Sequence, residues 1–175
     1  EGVEPITVDV TVCGIEKLEV SGIPTLVNKG VTLNTDGIVV IATFTDGSTR
    51  IVYKNDVIIT GDDTTSGGDK QLTVSYLGKE TKFDYHVKAV EGIEIYSGLP
   101  YVVRTGYALD YSNLKIKITY TNGDEDTVEA AKLVGVSYTG TNAGEKVFTV
   151  TYDGCTATRE LVEATLYQVH ALNGT

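Results

Sequence analysis

The chain has 175 residues, enough for one large domain or two small ones, and 41% of them are hydrophobic, enough to fill a core. A formal net charge of −10 and a pI of about 4.6 set it against a phosphate backbone, so nucleic acid is not an expected partner. No apolar run has the length of a membrane-crossing helix. The 19 Gly among many Thr and Val, with 11 Tyr and neither Met nor Trp, read as turns between strands.

Beginning at Glu1 with no leader peptide, the sequence reads as a mature product or an excised piece. Residues 5–12, Pro-Ile-Thr-Val-Asp-Val-Thr-Val, alternate as a strand does. With the rest of residues 1–13 they are expected to be the end of a preceding module, or a strand that pairs elsewhere. The next segment, residues 14–89, then recurs in residues 90–175 at an offset of 76. Ser21-Gly22-Ile23-Pro24 returns as Ser97-Gly98-Leu99-Pro100, and Thr43-Phe44-Thr45-Asp46-Gly47 as Thr119-Tyr120-Thr121-Asn122-Gly123. Gly68-Asp69-Lys70 returns as Gly144-Glu145-Lys146, and Thr73-Val74-Ser75-Tyr76-Leu77-Gly78 as Thr149-Val150-Thr151-Tyr152-Asp153-Gly154. Gly14-Ile15-Glu16 matches Gly92-Ile93-Glu94 at an offset of 78, which places a two-residue indel in the first strand. What repeats is turn glycines and strand residues, the parts a duplicated β-module must keep. Neither the histidines, the cysteines nor the acid runs Asp62-Asp63 and Asp124-Glu125-Asp126 recur, as a duplicated active site would require.

Within each copy, Asp46-Gly47 and Asn122-Gly123 are hairpin signals of the type I′ kind. Leu114, Ile116, Ile118 and Tyr120 alternate with Lys115, Lys117 and Thr119, which predicts a strand with one buried face. Gln71–Tyr76 and Val147–Tyr152 predict another, with short turns at Leu77-Gly78 and Asp153-Gly154. The repeat fades through 159–175, where the last strand of the second copy is expected. Six or seven short strands in under 80 residues predict a sandwich, so the fold class is all-β, two tandem immunoglobulin-like β-sandwich domains.

The order Ser-Gly-(Ile/Leu)-Pro, then a strand ending Thr-(Phe/Tyr)-Thr-(Asp/Asn)-Gly, then Gly-x-Lys-x-x-Thr-Val-(Ser/Thr)-Tyr-x-Gly resembles the bacterial Ig-like domain family (the Big_3 type), twice over nearly the whole chain. The resemblance implies an extracellular or cell-surface setting, with a virion surface as the alternative. It implies no catalytic residues and no cofactor.

The residues themselves add little chemistry. His86 and His170 lie in presumed last-strand segments without a nucleophile and acid at a motif spacing. Cys13 and Cys155 fall at unrelated points of the repeat, and we expect two free thiols or intermolecular bonding. The acid runs Asp62-Asp63 and Asp124-Glu125-Asp126 lack the spacing of a calcium loop and read as solvated turns, so no metal site is expected.

Two surface features mark candidate binding residues. The outward positions Lys115, Lys117, Thr127 and Glu129 of the second copy correspond to Val39, Ile41, Ile51 and Tyr53 in the first, an apolar set on a face expected to be wet. Tyr101, Tyr107 and Tyr111 of the second copy replace Thr25, Val31 and Thr35, and exposed tyrosines can stack on sugar rings or anchor proteins. The expectation is a non-catalytic structural or adhesion module, a spacer or presenting domain. A carbohydrate-binding accessory module and a self-assembling subunit are the alternatives. The expected partners are neighbouring domains of the same protein, with a protein or glycan besides.

Overall fold

The computed structural model describes residues 12–142 and 145–165. The predicted strand at 5–12 and His170 therefore fall almost wholly or wholly outside the described residues. The chain divides into two compact units, residues 1–87 and 88–175.

In the first unit the strands are β1 (Ile15–Ser21), β2 (Leu26–Asn28), β3 (Val39–Phe44), β4 (Thr49–Val52), β5 (Ile58–Thr60), β6 (Gly68–Tyr76) and β7 (Lys79–Lys88, whose last residue belongs to the second unit). A 3-10 turn, Lys54–Asp56, separates β4 from β5. One sheet has the order β1-β3-β4 and the other β2-β7-β6-β5. The second unit follows the same plan. Its strands are β8 (Val90–Ser97), β9 (Val102–Arg104), β10 (Lys115–Tyr120), β11 (Glu125–Glu129), β12 (Val134–Asn142), β13 (Glu145–Tyr152) and β14 (Cys155–Ala164). Its 3-10 turn is Ala130–Lys132. Its sheets run β8-β10-β11 and β9-β14-β13-β12, the same orders strand for strand. Each unit is an immunoglobulin-like β-sandwich.

Alternation explains both cores. Leu18, Val40, Ala42 and Val52 point inward from one sheet and meet Leu72, Val74 and Val87 from the other. In the second unit Ile95, Ile116, Ile118 and Val128 meet Phe148, Val150 and Leu161. Each of these Val, Leu, Ile and Phe side chains, fully buried, contributes about 1.5–3 kcal/mol relative to exposure. β14, where the sequence repeat fades, pairs with β13 residue for residue from Cys155 to Val162. The sandwich keeps the strand because alternation survives there even though identities do not.

Two local expectations are corrected. At Asp46-Gly47, Phe44 C=O accepts from Gly47 N–H at 2.9 Å and Phe44 N–H donates to Ser48 C=O at 2.8 Å. Gly47 alone has positive φ there. This is a three-residue loop of a type I turn followed by a left-handed glycine. Asp46 is not a left-handed residue: its Oδ1 accepts from the Ser48 N–H at 2.9 Å and the Ser48 hydroxyl at 2.6 Å, which holds the loop. Asn122-Gly123 repeats the arrangement, with Gly123 N–H on Tyr120 C=O. The turns with two positive-φ residues are Leu77-Gly78 and Asp153-Gly154.

The first strand also departs from the expected register. Thr45 N–H donates to Gly14 C=O, and Thr121 N–H donates to Ala89 C=O. Gly14 therefore corresponds to Ala89, at an offset of 75, and the Gly-Ile-Glu match is coincidental. Ser21 pairs with Val39 and Val20 with Val40, whereas Ser97 pairs with Lys115 and Ile95 with Ile116. Tyr96 is the inserted residue, a β-bulge in β8 with no counterpart in β1.

Candidate functional site

The outer face of β1-β3-β4 follows from register. Ile41 pairs with Ile51, and Val40 pairs with Val52 pointing inward, so Val39, Ile41, Ile51 and Tyr53 all point outward. Val39 is 39% exposed, Ile51 61% and Tyr53 71%, with Ile41 half-buried between them. Beside them β1 carries Lys17 and Glu19, bonded to each other at 2.6 Å. On the corresponding face of the second unit, Lys117 bonds Glu125 at 2.7 Å and Lys115 lies 3.6 Å from Glu129. On the same scaffold β3 and β4 are apolar outward, whereas β10 and β11 are laced with charge.

The three tyrosines are exposed but held by different neighbours. Tyr101 lies under the Arg159 guanidinium at 5.4 Å, and Tyr107 under Arg104 at 4.3 Å. Tyr111 packs on Phe148 with ring centroids 5.9 Å apart. Among the described residues no contact joins one of these rings to another.

The polar candidates are absorbed by local structure. His86 Nδ1 lies 2.7 Å from Asp69 Oδ1 across β6 and β7. Asp63 accepts from the Thr65 hydroxyl and N–H, which with Lys70 nearby holds its carboxyl below the usual carboxylate range. Asp124 is lowered by Lys88, then Asn122. Both cysteines are free thiols, and the hydrogen bond from Cys13 Sγ to Asp46 raises the Cys13 pKa. Among the described residues no three His, Cys, Asp or Glu side chains gather as a metal would need.

Residues 25–87 match the bacterial Ig-like domain family, group 3. The matched stretch runs from Thr25, just before β2, to Val87 at the end of the first Ig-like unit. Pectate lyase L of Thermoclostridium stercorarium is 29% identical over 153 residues, covering 84% of this chain. The chain spans 12% of the length of that relative.

Two residues of consequence were not visible in the sequence. Tyr85 of the Ig-like first unit is buried, and its hydroxyl donates toward Gly61 C=O at 2.8 Å and Asp63 C=O at 3.0 Å, pinning the loop after β5. Burial, then Asp63 and Asp62, raise its pKa. The carbonyls it holds lie more than 20 residues upstream, beyond any local pattern. Leu161 takes its place in the second unit, where β12 runs on as a strand. The other residue is Tyr96, hidden by the coincidental tripeptide match upstream of it.

Proposed function

We propose that this chain is a pair of bacterial Ig-like modules without catalytic activity, acting outside the cell as a spacer or presenting segment of a larger protein. The observation that carries the reading is the repeated strand plan, down to positive φ at Gly22 and Gly98, Gly47 and Gly123, and Leu77 and Asp153. It supports assigning the second unit to the same family as the first. A relative's alignment covering 84% of the chain supports this too, because neither unit reaches that share alone. By its name that relative acts on pectate; a segment amounting to 12% of it fits an accessory module better than a lyase. The test is to produce residues 1–88 and 88–175 separately and incubate each, and the whole chain, with polygalacturonate. Each piece should unfold in one cooperative transition and release no product. A piece that is unfolded alone, or turnover by the whole chain, would sink the proposal.

The apolar face of Val39, Ile41, Ile51 and Tyr53 is, in this reading, the surface offered to a neighbouring domain of the same protein. Ile51→Lys should then leave the chain's own stability within about 0.5 kcal/mol in urea unfolding, as for an ordinary surface change. A loss of several kcal/mol would show that the face serves the module's own packing instead.

A further inference from the structure

The bulge at Tyr96 has no role in either core. Ile95 before it is buried, and Ser97 after it resumes the pairing that Ser21 makes in the first unit. A single aromatic residue has been added to β8, and it stands outward, 63% exposed. β-bulges bend a strand and re-aim one side chain, and they recur beside binding sites for that reason. Here the ring borders a surface depression of about 440 Å³ whose other walls are Lys117, Glu125, Asp126 and Thr127.

Those walls are already ordered. Lys117 is tied to Glu125 at 2.7 Å, and Asp126 Oδ1 accepts the Thr127 N–H at 2.7 Å. The bonded Lys117 and Glu125 hold donors and acceptors in place on the strands beside a flat apolar ring. A pyranose presents the complement: a face of C–H groups for the electron-rich ring, and an edge of hydroxyls that both donate and accept. The charge of the walls restricts the choice. One cation stands against two carboxylates, with Glu94 opposite Lys117 on β8, so a polymer of sugar acids would meet net repulsion.

We infer that Tyr96, Lys117, Glu125, Asp126 and Thr127 form a subsite for one ring of an uncharged polysaccharide. The inference goes beyond the spacer reading and uses neither the apolar face nor the other tyrosines. The experiment is native gel electrophoresis of the whole chain through gels containing hydroxyethylcellulose, galactan, glucomannan or polygalacturonate, with Tyr96→Ala and Tyr53→Ala alongside. At least one neutral polymer should retard the wild-type chain and Tyr53→Ala equally. Tyr96→Ala should bind about threefold to tenfold more weakly, the loss of one aromatic contact. Because Tyr96 lies outside the core, a near-ultraviolet spectrum and melt matching wild type apart from one tyrosine would establish that the variant is folded. The inference is overturned if no neutral polymer retards the chain, if Tyr96→Ala is retarded as strongly as wild type, or if polygalacturonate retards it as well as the neutral polymers do.

Discussion

At the scale of single residues, conformation and hydrogen bonding make opposite demands on side chains that look alike in the sequence. Leu77 sits at φ 46 in a tight turn, 79% exposed, where a β-carbon is strained and nothing packs on the side chain. The left-handed region costs an ordinary residue roughly 1–2 kcal/mol, and Asn is one of the few that tolerate it. Leu77→Asn should therefore raise stability by about 0.5–1 kcal/mol, read as a higher urea midpoint with an unchanged slope. Two tyrosines give a matched contrast. Tyr85 holds two carbonyls, so Tyr85→Phe should cost about 1–2 kcal/mol. The Tyr138 hydroxyl is buried with no hydrogen-bond partner among the described residues. Tyr138→Phe removes an unsatisfied group and should be neutral or slightly stabilising in the same assay.

At the scale of elements, backbone proximity matters more than side-chain identity. The glycine of Ser-Gly-(Ile/Leu)-Pro ends β1 and β8 with positive φ, and a β-carbon on Gly98 would lie 1.9 Å from Asn113 C=O. Gly98→Ala should destabilise the second unit by more than about 2 kcal/mol, seen as a lower melting temperature, because backbone must move to admit it. The motif was legible as a repeat, and so was every core strand whose side chains alternate cleanly, Leu114–Tyr120 above all. The turns were half legible. Asp-Gly marks a hairpin, but Asp46 bonding to Ser48 selects the three-residue loop, while Leu77, which carries no turn signal of its own, takes the strained position. The bulge was illegible because one inserted residue shifts the upstream offset from 76 to 75, and a chance tripeptide concealed the shift. Comparing copies did locate the face of Val39, Ile41, Ile51 and Tyr53, because the pleat fixes which residues share a side. Which surface that face would meet is not encoded by any pattern within one chain.

At the scale of the whole molecule, titration follows from groups already placed. Tyr85, Tyr120 and Tyr138 all have raised pKa values, burial being the first cause in each case. Their contribution is fully present below the ordinary tyrosine pKa of about 10 and is lost above it, because the unfolded chain ionises first. Asp36, Asp46, Asp63, Asp110 and Asp124 are lowered by hydrogen bonds and, for several, lysines. Their contribution is present above the ordinary carboxylate range and disappears as pH falls through their folded values. With the raised Cys13 thiol included, a series of urea midpoints should form a plateau between about pH 5 and 9 and fall on both sides. A midpoint still climbing above pH 10 would contradict the tyrosine assignments.

The extended β12 has one further consequence. Its counterpart β5 is three residues long and gives way to the loop that Tyr85 ties down, whereas β12 presents nine residues, Val134–Asn142, without a charge or a proline. Among the described residues only β13 borders it. Its pairing with β13 is regular only over Ser137–Gly140, and that neutral open edge is where a second copy can add a strand, so storage at high concentration should be limited by this unit. A gatekeeping lysine at Ser137, on the exposed side of that margin, should lengthen the lag before thioflavin fluorescence rises, while the same charge at Ser66 in the first unit should leave the lag unchanged.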